Sequence, residues 1–367
     1  MTLLFRQSVL RAKPGVANLD RLRDIGADRH EPILLDKNER TTPFPDDFFN
    51  QLIESITPQE LIKYPDQSVL YKKLSEFLGL DKEYLLLVSG SDSGIKTVFD
   101  TYAQPQDCVV SLFPSYAMEQ VYIKMFDCQS LAIHFDYNLN LSIDSILDAI
   151  SPNIRIVLIA NPNQPTGQML SFQEIEQIAE TTSQKSDAIV VIDEAYIEFS
   201  NGKSSLPLVT KYPNLCVLRT FSKAWGLASV RLGYIAANPS LINQLQKVKS
   251  LLDINLFAIK AASLLIDNYH LVEHHIEEVK LSKQYIGSKL SSHNIEHFLG
   301  NANFVHFRPP FSIDPDQFCT AMGSYGFRVR STNHTNTVLD GCIRITIGSQ
   351  EQMLALASSI SELLENH

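Results

Sequence analysis

Three motifs, about thirty residues apart, carry side chains whose joint chemistry is specific although each alone is ordinary. Lys223 lies in Thr220-Phe221-Ser222-Lys223-Ala224-Trp225-Gly226, with Arg231 shortly after it. Asp193 and Tyr196 lie in Val191-Ile192-Asp193-Glu194-Ala195-Tyr196, and upstream runs Asn161-Pro162-Asn163-Gln164-Pro165-Thr166-Gly167. A lysine amine forms a Schiff base with an aldehyde, and a heterocycle bearing that aldehyde then takes up the electrons of a substrate carbanion. The ring nitrogen must stay protonated, which asks for a carboxylate against it. Asp193, closing the apolar run 188–192, meets that need, and it in turn requires a cation, because an unpaired buried charge is costly. Tyr196 can hydrogen-bond the ring's phenolic oxygen, while the Ser222 hydroxyl and the Arg231 guanidinium suit a phosphate. Read singly, these are a strand-end cap, a solvated lysine and a turn. Read together, they describe a pocket for pyridoxal phosphate.

A cup for the phosphate is written further upstream. Ser89-Gly90-Ser91-Asp92-Ser93-Gly94 follows a short apolar run and opens a helix near Ile95. Its small residues let backbone N–H groups converge on an anion at the positive end of the helix. The stretch is neither GxGxxG nor a Walker sequence.

The elements that must position these groups follow from periodicity. Strand-like runs at 85–88, 108–112, 154–159, 188–192, 215–218 and 232–236 alternate with amphipathic segments such as 171–183. This alternation predicts an α/β fold with a mostly parallel central sheet covered by helices on both faces. Ligands in such sheets bind beyond the carboxyl ends of the strands, and Asn163, Asp193 and Lys223 each follow a strand candidate. After Pro239 the pattern turns helical, at 241–249 and in one long helix at about 256–292. Short strands at 303–307, 327–330 and 342–347 follow, with helices at 315–325 and 350–364, as in a smaller α/β domain. The expected division is an N-terminal segment 1–50 contributing to the small domain, a large cofactor-binding domain 51–250, and a C-terminal small domain 251–367 with the long connecting helix.

With these motifs the chain resembles the fold-type I pyridoxal-phosphate aminotransferases and, within them, the histidinol-phosphate aminotransferase group. The resemblance runs from Asp36-Lys37-Asn38-Glu39 to Ile343-Arg344-Ile345-Thr346-Ile347-Gly348. It implies the aspartate aminotransferase-like fold and a homodimer with shared active sites. It also implies exchange of an amino group between glutamate or 2-oxoglutarate and a phosphorylated carbonyl compound. Ser91 and Asp92 would then hold the phosphate end of the cofactor, and Tyr116, in Pro114-Ser115-Tyr116, would stack on its ring. Tyr64, in Lys63-Tyr64-Pro65-Asp66, would reach into the neighbouring subunit's site. Arg344 would grip the substrate's anionic group with Arg330 as second cation, Asn38 and Arg40 joining the substrate side. A bidentate guanidinium suits carboxylate and phosphate alike, so these arginines leave the substrate open. Three positions depart from the group's pattern. Gln164 replaces an asparagine, leaving the ring-oxygen contact to Gln164 or to Asn163. Ser93 follows Asp92 in place of glutamate. Arg40 replaces a proline, as either an added charge near the substrate or a solvated loop cation.

Composition narrows the alternatives. With 44% hydrophobic and 20% charged residues and a formal charge of −10, the 367-residue chain reads as an ordinary globular protein without a basic surface for nucleic acid or anionic membrane. Met1-Thr2-Leu3-Leu4-Phe5-Arg6 lacks the apolar core of a signal peptide and no apolar run is long enough to span a bilayer, so a cytoplasmic location is expected. Five cysteines without a CxxC pair read as reduced thiols. His270, His274 and His275 share a helix face but lack a further ligand, so a solvated helix is expected and no metal. Two rivals remain. A pyridoxal-phosphate decarboxylase of a phosphorylated amino acid would use the same lysine, aspartate and arginines. A cofactor-binding regulatory protein would need an appended partner domain, for which the chain has no room.

Overall fold

The computed structural model describes residues 32–310 and 312–365; the first 31 residues of the expected N-terminal segment lie outside them. Strand β1 (Ile33–Leu34) precedes helices α1 (Asp46–Glu54), α2 (Pro58–Leu61) and α3 (Ser68–Leu78). The alternating middle follows as β2 (Leu85–Val88), α4 (Ser91–Tyr102), β3 (Cys108–Phe113), α5 (Ala117–Met125), β4 (Gln129–His134), α6 (Ile143–Ala149), β5 (Ile154–Ala160), α7 (Phe172–Lys185), β6 (Ile189–Asp193), β7 (Leu215–Thr220) and β8 (Gly233–Ala237). Helices α8 (Pro239–Leu245), α9 (Leu256–Asp267) and α10 (His270–Ser292) come next. The chain ends with β9 (His297–Phe298), β10 (Phe304–Phe307), α11 (Pro315–Ser324), β11 (Phe327–Arg328), β12 (Arg330–Ser331), β13 (Ile343–Thr346) and α12 (Gln350–Glu365).

Seven strands form the main sheet in the order β2-β8-β7-β6-β5-β3-β4. All run parallel except β8, which is antiparallel to both of its neighbours. Side chains alternate across a strand, so each apolar run feeds two cores. Val157, Ile159, Val190, Ile192 and Val217 face one. Ile156, Leu158, Val191, Cys216 and Leu218 face the other, under Ile95, Val98 and Phe99 of α4. A run apolar at every position is therefore a strand covered on both sides.

A four-stranded antiparallel sheet, β12-β13-β10-β9, gathers the C-terminal strands, and β1 pairs with β11 in parallel. Three expectations need correction. Strand β4 escapes the apolar pattern because it is an edge strand on which only Ile133 is buried. The helix expected over 256–292 is two helices, broken where Asn268 Nδ2 donates to Leu264 O at 2.9 Å, a local bond that competes with helix continuation. His275 is buried against Phe199, 6.1 Å between ring centroids, while His270 and His274 are exposed, so the helix is not solvated along that whole face. Among the described residues no group of side chains could hold a metal, and no helix is long and apolar enough to cross a membrane. The five cysteines are free thiols.

Candidate active site

Because β5, β6 and β7 are adjacent and parallel, their carboxyl ends open at one edge of the sheet. A cavity of about 620 Å³, its open mouth included, lies there, within the size range of small-ligand sites. The end of β5 contributes Ala160 and the loop after it Pro162 and Gln164, the end of β6 and the turn after it Asp193, Ala195 and Tyr196, and the end of β7 and the loop after it Thr220, Ser222 and Lys223. Ser91, Asp92, Tyr116 and Arg231 complete the lining.

Lys223 Nζ donates to the backbone carbonyl of Lys37 at 3.1 Å and stands 5.5 Å from the Tyr196 ring centroid. The Lys37 contact has no sequence signal, since any residue supplies a carbonyl. Asp193 is buried, and its Oδ1 accepts from Ala195 N–H at 3.1 Å. Burial pushes its carboxyl up to about 7, with the Ala195 bond opposing and the carboxylates of Asp92 and Glu194 reinforcing the rise. Such a group needs a partner cation, and a pyridinium nitrogen is one. Below the lysine loop, Arg219 bridges Glu194 at 3.1 Å and Glu198 at 2.7 Å. Glu194 Oε1 also accepts from Ser205 N–H and Oγ, both at 2.6 Å. Sequence reading missed this network, which ties β6 to β7 directly under the site.

The anion cup is built by close backbone approach. Helix α4 starts after Gly90, whose φ is +82°, without a side-chain cap. A Cβ at Gly90 would meet Arg231 Nη2 at 2.7 Å, and one at Gly233 would meet the Arg219 carbonyl at 2.6 Å and Ser91 N at 2.8 Å. Glycine at both positions lets Arg231 and the helix N-terminus close on one point. Arg231 Nη1 donates to Ser222 Oγ at 3.3 Å and to Ala228 O at 3.2 Å. The Asp92 carboxylate accepts from Tyr122 OH at 3.0 Å, and burial raises its pKa. It is therefore the backbone N–H of Asp92, not its side chain, that can meet an anion. With a reachable amine, a buried acid and this cup, the residues present fit pyridoxal phosphate.

The structure separates the two candidates for the ring-oxygen contact. Gln164 lines the cavity. Asn163 does not: its Oδ1 accepts from Thr166 N and Oγ1 at 3.2 and 2.9 Å, and its Nδ2 donates to Ser115 Oγ at 3.2 Å. Asn38 also stays out of the lining, but acts on it. Its Nδ2 donates to Tyr196 OH at 3.1 Å, and it is anchored by Thr346 Oγ1, which accepts from its N–H at 2.9 Å, and by Asn303 Nδ2, which donates to its carbonyl at 3.2 Å.

The expected substrate cations are not gathered in the cavity. Arg344 is 5% exposed on β13 and donates through Nη2 to Asp36 O at 2.5 Å, and its Nε has no hydrogen-bond partner. Arg330 lies directly opposite it across the strands. Burial first, and Arg330 second, lower the Arg344 pKa to about 10. Tyr64 is 79% exposed and outside the lining. Arg40 is neither in the cavity nor a solvated loop cation. Its guanidinium lies 4.3 Å over the Phe44 ring and its Nε donates to Thr42 O at 3.0 Å; its side chain covers Gly226, where a Cβ would meet Arg40 Cδ at 2.6 Å.

The model of the family described as aminotransferase class I and II matches residues 31–360. A histidinol-phosphate aminotransferase of Christiangramia forsetii is 30% identical over 98% of this chain and 97% of its own length. Among solved structures, the histidinol-phosphate aminotransferase of Sinorhizobium meliloti in complex with pyridoxal-5'-phosphate superposes with a TM-score of 0.83 at 20% identity, covering 99% of this chain and 98% of that one. The L-threonine-O-3-phosphate decarboxylase of Porphyromonas gingivalis gives 0.78 at 19% identity, over 91% and 99%.

Proposed function

We propose that this chain, which belongs to the aminotransferase class I and II family, interconverts histidinol phosphate and imidazole acetol phosphate with glutamate and 2-oxoglutarate as the second pair. It is a pyridoxal-phosphate-dependent aminotransferase with the aspartate aminotransferase-like fold. The observation that carries the residue roles is the one cavity in which Asp193 and Tyr196 from the end of β6, Ser222 and Lys223 from the end of β7, and Arg231 from before β8 converge.

When bound, the cofactor supplies an aldehyde for exchange between amines and a ring that stabilises negative charge at the substrate's α-carbon. Lys223 Nζ would hold that aldehyde and, when free, would carry the proton taken from the substrate's α-carbon. Asp193 would keep the ring nitrogen protonated. Tyr196 OH, oriented by Asn38, would donate to the ring oxygen with Gln164 beside it, and Tyr116 would cover a ring face. Arg231, Ser222 and the N–H groups of Ser91 and Asp92 would hold the phosphate. Arg344 and Arg330 take the anionic groups of both substrates, which arrive in turn.

The same reading makes the working unit a homodimer. Tyr64 is exposed beside its exposed chain neighbours Leu61 and Ile62, and it would complete the site of the neighbouring subunit. Segment 1–50 would join residues 251–367 on the arginine side, with 51–250 carrying the cofactor. The free cysteines suit a reducing cytoplasm.

Candidate amines added singly to the cofactor-loaded protein test the assignment through bleaching of the lysine-bound cofactor's visible band. Glutamate and histidinol phosphate should each bleach it without releasing carbon dioxide. Failure of histidinol phosphate beside success of another amino phosphate would reassign the substrate. Carbon dioxide release without a keto-acid acceptor would make the chain a decarboxylase.

A further inference from the structure

Glu119 is fully buried on α5, one turn after Tyr116, and none of the roles above uses it. Its Oε1 accepts from Ser115 Oγ at 2.9 Å. The same Ser115 oxygen accepts from Asn163 Nδ2 at 3.2 Å, and Asn163 Oδ1 holds Thr166 by the two bonds already described. A continuous connection, half-buried at Ser115, thus runs from α5 to the loop after β5. Its ends adjoin the cavity: Ser115 precedes Tyr116 and Asn163 precedes Gln164, and both followers line it.

Glu119 Oε2 has no hydrogen-bond partner among the described residues. Burial holds the carboxyl well above its ordinary range, with the Ser115 bond opposing and Asp193 reinforcing the rise. A buried acid with one oxygen unpartnered is a poor device for holding a fold together, since an apolar side chain of similar size carries no desolvation penalty. Its presence is explained if the bond to Ser115 matters for something other than folding.

We infer that Glu119 is a positioning residue for the cofactor: through Ser115 and Asn163 it clasps the Tyr116 wall to the Gln164 loop and fixes the width of the slot that receives the ring. The inference rests on the reading of this cavity as the cofactor site. Glu119 Oε1 accepts from Ser115 Oγ, so an amide oxygen reproduces the contact and a hydrocarbon removes it.

Three variants test it, with cofactor dissociation constant, pH midpoint of the bound cofactor's visible band and melting temperature of the cofactor-free protein as readouts. Glu119→Leu and Ser115→Ala should each weaken cofactor binding about tenfold and move the midpoint, as loss of a positioning hydrogen bond does. Glu119→Leu should not lower the melting temperature of the cofactor-free protein, Ser115→Ala should lower it modestly because Glu119 and Asn163 Nδ2 lose their partner, and Glu119→Gln should stay within about twofold of the parent. Parental affinity and midpoint in both disrupted variants would overturn the clasp, as would a lowered melting temperature with unchanged affinity, which is the mark of a space-filling acid. If Glu119→Leu does not fold, Ser115→Ala decides alone. Failure of the parent itself to bind pyridoxal phosphate would instead strike the cofactor-site reading.

Discussion

On one side of the cavity, three neighbouring parallel strands deliver the lysine, the aspartate and the loop of Gln164, with Ala160 paired to Asp193 and Asp193 to Leu218 across the sheet. On the other, the cations expected to meet the substrate stand outside the lining, Arg344 and Arg330 opposite each other on a separate small sheet and Tyr64 on the surface. The first side is complete within one chain. On the second, Arg330 and Arg344 lie opposite each other across the strands, and Arg344 also donates to the Asp36 carbonyl. The residues proposed for the chemistry and those proposed for recognition thus stand on different elements, and substitutions on the two sides should fail in different ways.

The sharpest break is Lys223→Ala. Its amine is both the attachment point and the proton carrier, so turnover should fall by more than about 10⁴-fold, and the visible band of the lysine-bound cofactor should vanish while the cofactor-free fold persists. Normal turnover in that variant would refute the lysine side altogether.

Asp193→Asn should lower turnover by about 10²- to 10³-fold, and it carries a second readout. In the ligand-free protein the Asp193 carboxyl sits at about 7 against an ordinary 3.8. A raised carboxylate pKa means that the folded chain keeps its proton after the unfolded chain has released it. Stability of the cofactor-free enzyme should thus fall as pH rises from about 4 to about 7 and stay low above, by roughly 4 kcal/mol at about 1.4 kcal/mol per unit. Thermal melts between pH 4 and 8 should show a falling stability in the parent and a shallower fall in the asparagine variant, the remainder coming from Asp92, Glu119 and Glu198, whose carboxyls burial also raises. An unchanged slope would mean that another group carries it.

On the recognition side, Arg344→Gln should raise KM for the phosphorylated substrate by about 10²-fold, the value of a charge-assisted pair, and leave the cofactor band where it was. A shifted band with unchanged KM would place Arg344 on the cofactor side and dissolve the contrast.

The same contrast governs what the sequence discloses. Lys223, Asp193 and Arg231 are legible because their chemistry demands particular side chains after strands whose apolar runs are unmistakable. Strand β4 is not, since an exposed edge asks for no apolar pattern. Asn163 and Gln164 are adjacent and chemically alike, and only the course of the loop decides that Gln164 faces the cavity. Arg40 reads as either a cation near the substrate or a solvated loop cation, yet it packs on Phe44, since its stem and flat guanidinium are good aromatic neighbours. The Lys37 carbonyl is invisible for a simpler reason: a backbone atom leaves no letter.

Asn38 gives the finest test, because it belongs to both sides. Its residue type is fixed twice over. The backbone φ of +57° falls in the left-handed region that asparagine and glycine tolerate, and the side-chain amide holds Tyr196 OH. Asn38→Ala would mix the two effects, adding backbone strain to the lost hydrogen bond. Asn38→Gly removes the bond without the strain, so their difference isolates the backbone term. With the amide gone, Tyr196 OH becomes a weaker donor to the ring oxygen, whose negative charge is then less stabilised. The pH midpoint of the lysine-bound cofactor's visible band should therefore move upward in Asn38→Gly, and turnover should drop only severalfold, in line with about 1 kcal/mol for a single net hydrogen bond. A midpoint that stays in place would show that Asn38 merely ties the turn after β1 to Thr346 and Asn303, and that the link between the small sheet and the ring oxygen is not used.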